Sequence, residues 1–209
     1  MRLITLFAFA CASALLAAGG PRVEFTKSFP GSVPAYVGLW FDASGKGEYK
    51  EAVDDDQPQP VQLEAAETAQ VFALVEKLGK FSVPLESALK VAFTGAKTFR
   101  YEDGATKNET NFNYTQNPDG QLLLDWFERI AETSRHVLNL ERAARFDRLG
   151  LDEALLQLQV TFDQHRLAGA RQLLPILDRI AKNKSAFNRD RERAAAMAAS
   201  LRQGEAKTE

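Results

Sequence analysis

The chain contains two histidines, His136 and His165. Glu132 precedes His136 by four residues, so on a helix its carboxylate and the imidazole lie one turn apart on a shared face. Such a pair can orient an imidazole for base catalysis or for metal binding. It is also ordinary surface decoration, and no His-Glu-x-x-His arrangement accompanies it. His165 falls on the apolar face of the helix expected around it, where a satisfied core histidine is the usual occupant. Asp54, Asp55 and Asp56 could gather a hard cation such as calcium. Consecutive acids point in different directions, however, and the alternating ligands and bidentate glutamate of an EF-hand loop are missing, so this run reads as a solvated loop.

Nucleophile and nucleotide motifs are absent from the sequence. There is no Gly-x-Ser-x-Gly, no Gly-x-x-x-x-Gly-Lys-Ser/Thr and no Gly-x-Gly-x-x-Gly following a strand. Gly45-Lys46-Gly47 reads as turn chemistry between two strands, and Ser28, Ser32 and Ser44 are loop serines with neither histidine nearby in sequence. Acidic residues are plentiful, yet nothing singles out two of them for glycoside hydrolysis. No residue is therefore assigned a catalytic, cofactor-binding or metal-ligating role. Asn108-Glu109-Thr110, Asn113-Tyr114-Thr115 and Asn183-Lys184-Ser185 match the N-glycosylation pattern, which carries meaning only in a host with that machinery.

The elements that must position these residues fall into two unlike halves. Residues 21–120 hold 10 Lys+Arg against 15 Asp+Glu, net −5, with 13 aromatics, eight glycines and seven prolines. From Gln121 onward there are 15 Lys+Arg against 13 Asp+Glu, net +2, with five aromatics and one proline, Pro175. Aromatic, glycine and proline enrichment suits short strands and turns, whereas Leu, Ala, Arg and Gln suit helices. In the first half, Val23, Phe25 and Phe29 alternate with polar residues as a half-buried strand does. Residues 35–42 are apolar on both faces and read as a central strand. Residues 48–53 read as a third strand with Tyr49 and Val53 on one side, followed by a polar, proline-punctuated loop over 54–60. Ala66 to Leu78 carries a helical stripe that stops at Gly79. Strands are expected over 90–94, 97–102 and 106–115, with Asp103-Gly104 as a tight hairpin turn.

The second half opens on Asn117-Pro118-Asp119, a cap followed by a proline suited to the first helical turn. Leu122, Trp126, Ile130, Thr133, Val137, Leu140 and Ala144 then recur at spacings of three and four, which implies one helix of about 28 residues. Asp152 is expected to cap a further helix carrying Leu155, Leu158, Phe162 and His165. Leu173, Leu177 and Ile180 mark another, and a final alanine-rich helix runs from about Asn188 to Gln203. The helical pair 152–183 lacks the Trp/Leu-Gly and Tyr positions of a tetratricopeptide unit, and no second copy follows at a period near 34. These signals define an α+β protein: an antiparallel sheet with one covering helix (residues 21–116), then a long helix and a small C-terminal helical bundle (117–204), expected to share one core.

Residues 1–20 read as a secretory signal peptide. Arg2 supplies the basic start, Leu3 to Ala18 is almost wholly apolar but short for a bilayer span, and small residues suit cleavage after Ala18 or Gly20. Cys11 sits in the middle of the apolar run behind bulky Phe9, a poor match to a lipidation site, so it should leave with the signal. The mature chain is then free of cysteine, without disulfides or thiolate chemistry. A net charge of −2 over 209 residues offers no long-range attraction for nucleic acid or an acidic membrane. The combined expectation is a periplasmic or extracellular protein, with a frayed tail at 205–209 and no integral membrane span after signal removal. It is read as a non-enzymatic binding or protein-interaction module for an unidentified protein or small molecule. The alternative is an envelope hydrolase using scattered carboxylates or His136.

Overall fold

The computed structural model describes residues 20–205, so the signal-peptide reading, Cys11 and nearly all of the C-terminal tail lie outside the described residues. Six strands form one antiparallel sheet: β1 (Arg22–Ser28), β2 (Tyr36–Asp42), β3 (Lys46–Lys50), β4 (Gln59–Gln62), β5 (Ala96–Asp103) and β6 (Thr106–Phe112). Their spatial order is β4-β3-β2-β1-β5-β6, so β1 lies between β2 and β5 at the centre. Helices α1 (Ala65–Lys77), α2 (Pro118–Phe146), α3 (Gly150–Asp163), α4 (Leu174–Lys182) and α5 (Asn188–Glu205) complete the fold. No helix among the described residues is long and apolar enough to cross a membrane.

One face of the sheet is apolar because alternate residues share a face. Val23 and Phe25 of β1, Leu39 and Phe41 of β2, Tyr49 of β3 and Phe99 and Tyr101 of β5 are all buried there. The cross-strand register sets Val23 against Phe41 and Tyr101, and Phe25 against Leu39 and Phe99. Phe127 of α2 fills the centre, with ring centroids 5.1 Å from Phe25, 5.4 Å from Phe99 and 5.9 Å from Phe41. Helix α1 covers the same face through Val71, Leu74 and Val75. It begins with a reciprocal capping box between Glu64 and Glu67. The other oxygen of Glu67 accepts the Gly169 amide at 2.8 Å and ties the loop after α3 to the start of α1.

Helix α2 is the spine of the molecule. Asn117 Oδ1 accepts the Gly120 amide at 3.1 Å, and Pro118 occupies the first turn, where no intrahelical donor is needed. Its 29 residues serve two buried clusters in turn. Leu123, Phe127, Ile130 and Ala131 join the sheet, while Val137, Leu140 and Ala143 join α3, α4 and α5. The apolar stripe begins one residue later than expected: Leu123 and Phe127 face inward, Trp126 packs at the margin and Leu122 is exposed. A single 3.6-residue phase cannot follow both the twisted sheet and the helical layer, so the inward face shifts along the helix.

Four further expectations are corrected. Residues 90–94 are not a strand: this stretch lies in an irregular segment, 82–95, tethered by side chains instead of a ladder, with Thr94 N donating to Asn113 Oδ1 at 2.7 Å and Asn113 Nδ2 donating to the Ala92 carbonyl at 3.0 Å. The polar run 54–60 ends in a strand, β4, which the prolines concealed. Pro60 is tolerated because β4 is an edge, where a missing donor breaks no second ladder. Val53 lies beyond the end of β3 and is exposed. Asp152 does not cap α3; Asp147 accepts the Gly150 amide at 2.8 Å, and Asp152 pairs with Arg189 and Arg193 of α5.

Candidate binding surface

The histidines separate completely. His136 is 8% exposed, between α2 and α3, and its Nε2 shares a hydrogen bond with Thr161 Oγ1 at 2.8 Å. Burial pushes its pKa below the ordinary histidine value, Glu132 opposing this and Arg135 adding to it. Glu132 spends its carboxylate elsewhere, accepting from Arg166 Nε at 3.1 Å. The hydroxyl that meets His136 also donates to the Gln157 carbonyl at 3.2 Å, as a helix-buried threonine commonly does. His165 is not on a helix. It follows the end of α3 with a left-handed backbone, φ 55°, and is exposed.

The remaining sequence candidates are turn and loop groups. Asp54, Asp55 and Asp56 do not converge, and Asp55 accepts the Gln57 amide at 3.0 Å. Among the described residues no three His, Cys, Asp or Glu side chains gather in a way that could hold a metal ion. Ser32 donates to the carbonyls of Phe29 and Pro34, and Ser44 donates to Asp42, whose carboxyl those contacts hold below its usual range. Of the glycosylation-pattern asparagines, Asn113 is committed to the 92–94 segment and Asn183 Oδ1 accepts the Ser185 amide.

A lysine pair, one member of it buried, marks one end of the sheet. Lys27 and Lys97 stand directly opposite each other on β1 and β5, an arrangement that is repulsive on its own. Lys27 is neutralised by Glu128 of α2 at 2.9 Å. Lys97, 4% exposed, donates to Thr94 Oγ1 at 3.0 Å and to the carbonyls of Gly95 and Asn113 at 3.2 and 2.8 Å. Burial, then Lys27, pulls its pKa down against the pull of Glu128 and Glu86. A cleft of about 200 Å³ adjoins these groups. The oxygens that saturate the ammonium come from both segments beyond the strand ends, so Lys97 works as a clamp between them.

Among the described residues no helix packs on the opposite face of the sheet. That face displays Arg22 and Glu24 of β1, Tyr36, Gly38 and Trp40 of β2, Glu48 and Lys50 of β3, Arg100 of β5 and Glu109 of β6. Arg22 lies 4.0 Å over the Trp40 ring, and Trp40 Nε1 donates to Glu48 Oε2 at 3.0 Å. Glu24 stands between two guanidiniums, 3.7 Å from Arg22 and 3.5 Å from Arg100, and Arg100 continues to Glu109 with Nε at 2.9 Å. Tyr36 rests over Gly38, where a Cβ would meet its hydroxyl at 2.9 Å. Burial there, then Glu24, raises the Tyr36 pKa, with Arg100 opposing.

Trp40, Glu48, Lys50, Asp55 and Pro58 wall a cleft of about 300 Å³. Arg22 Nε is buried beside it with no acceptor. The arrangement offers a flat aromatic surface, cations and carboxylates held in fixed positions, and no nucleophile paired with a base. Its signal was present in the sequence as a period of two through Tyr36, Gly38 and Trp40. It was masked because the intervening residues are apolar too, so the strand read as buried on both faces. Comparison with protein-family models, with curated proteins and with solved structures found no significant match to this chain.

Proposed function

We propose that the protein is a non-enzymatic interaction module of the cell envelope and that it recognises a partner protein through the open face of its sheet. The supporting observation is the preassembled Arg22–Trp40–Glu48 group beside Glu24 and Arg100. Surfaces that bind proteins favour Trp, Tyr and Arg, and rigid side chains lose little entropy on association. The charged and aromatic side chains spread over five strands of the sheet, a breadth that suits another protein surface. The export part of the proposal rests on residues 1–20 of the sequence, and mass spectrometry of the N-terminus in secreted material tests it.

The hydrolase alternative is less well supported, because His136 is hydrogen-bonded inside a helix interface and its one hydroxyl partner is committed to the backbone. The decisive experiment is quantitative affinity capture from envelope extract with the wild-type protein, Trp40→Ala and Arg22→Ala, each checked for an unchanged circular dichroism spectrum. Hot-spot truncation should lower recovery of a specific partner by about tenfold or more. Equal recovery by all three removes the sheet face from the proposal. A hydrolytic activity abolished by His136→Gln would establish the alternative.

A further inference from the structure

The end of the molecule remote from the sheet has a different chemistry. The last turns of α2 bring Arg142, Arg145 and Phe146, and the connector to α3 brings Arg148 and Leu149. The end of α4 adds Arg179 and Lys182, followed by Lys184 and Phe187 before α5. These segments meet: Arg148 stacks 4.3 Å over the Phe187 ring, and Arg145, Arg179 and Lys182 line a single cleft of about 480 Å³. One carboxylate, Glu141, serves both Arg145 (3.2 Å) and Arg179. Asp147, which accepts the Gly150 amide, and Glu141 leave the six cations of this end in clear excess. Arg142, Lys182 and Lys184 have no ion-pair partner among the described residues. Amid this cationic excess, Phe146 and Leu149 are 82% and 80% exposed.

We propose that this end is a peripheral docking surface for an anionic phospholipid bilayer. Exposed apolar side chains flanked by arginine and lysine match the bilayer interface, where rings and aliphatic groups enter the headgroup boundary and cations meet lipid phosphates. A free phosphate ion would use the cations but give Phe146 and Leu149 no role. The whole-chain charge of −2 does not oppose docking, because electrostatic attraction acts within about 10 Å of the surface at ordinary ionic strength. The acidic half, net −5, contains the whole sheet and favours the orientation with the arginine-rich end down. A helix of 29 residues spans about 43 Å, so the sheet face stays free for a partner when the far end is docked.

The test is flotation of the full protein with vesicles of pure phosphatidylcholine and with vesicles containing about one third phosphatidylglycerol. Docking requires binding to the anionic vesicles only, weakened when salt is raised. It further requires that Phe146→Ser/Leu149→Ser and Arg145→Gln/Arg148→Gln/Lys182→Gln each lower binding by about tenfold, with unfolding curves like the wild type. All substitutions lie on exposed side chains of the same chain, so any contribution of the N-terminal apolar residues cancels in the comparison. Equal binding to both vesicle types overturns the proposal, as does wild-type binding by the variants. Absence of vesicle binding together with thermal stabilisation by inorganic phosphate overturns it in favour of a soluble-anion site. None of these outcomes depends on Trp40 or the sheet face.

Discussion

His136 and His165 show how far a side chain's chemistry depends on its surroundings. Both were candidates by type; one is packed between helices and the other stands in solvent after a helix end. Because burial holds the folded pKa of His136 below the unfolded value of about 6.5, the unfolded chain takes up the proton first as pH falls. The stability associated with neutral His136 is therefore present above about pH 6.5 and is lost as pH falls from there through the folded pKa. His136→Gln, which keeps a side chain able to reach Thr161, should flatten this loss. Urea unfolding of both proteins at several pH values between about 7.5 and 5 checks it. Parallel pH profiles for the two would show that other groups carry the dependence.

At the scale of elements, the β2–β3 hairpin depends on two glycines with different jobs. Gly45 takes a left-handed backbone, φ 79°, in the turn that Asp42 closes by accepting the amides of Ser44 and Lys46. Gly47 lies in β3 opposite Phe41, where an added Cβ would meet the Trp40 carbonyl oxygen at 1.7 Å. That contact is with backbone, which cannot rotate away. Gly47→Ala should accordingly destabilise the protein by about 3 kcal/mol or more and disturb Trp40, whereas Gly104→Ala, in open space, should cost about 1 kcal/mol. Chemical denaturation gives the two values, and a Gly47→Ala protein of wild-type stability would contradict this account of the hairpin. The same scale explains the missed β4 and the strand that is not one: Pro60 sits on an edge that tolerates it, while residues 90–94 pair with no strand and are held by the Asn113 side chain, which bonds Thr94 N and the Ala92 carbonyl.

For the whole molecule, the question is how two buried clusters behave as one protein. The sheet, α1 and the first half of α2 form one cluster, and the second half of α2 with α3, α4 and α5 forms the other. An uninterrupted α2 enters both. The loop after α3 returns to the first cluster through Ala168, whose amide donates to buried Thr133 Oγ1 at 3.1 Å. Melting the helical layer would therefore expose part of the sheet's cover. Tryptophan fluorescence, from Trp40 and Trp126 on the sheet side, and helical circular dichroism, weighted to the other cluster, should give coincident urea transitions. A fluorescence change separated from the dichroism change would mean that the helical layer unfolds independently.

The sequence alone was enough to read the α+β class, the antiparallel sheet and the long helix with its Asn117 cap. These follow from local rules: alternation for strands, a 3.6-residue stripe for helices, and residue types that satisfy free backbone groups at helix ends. Tertiary structure decided which face of each element was covered. Trp40 and Leu39 are neighbours in one apolar run, yet one faces solvent with Arg22 and the other is buried, because α1 and α2 layer only one side of the sheet. Phe146 and Leu149 likewise continue an apolar pattern but emerge where the bundle ends. Burial is a property of the assembled layers, so the surfaces proposed to bind could not be found until those layers were in place.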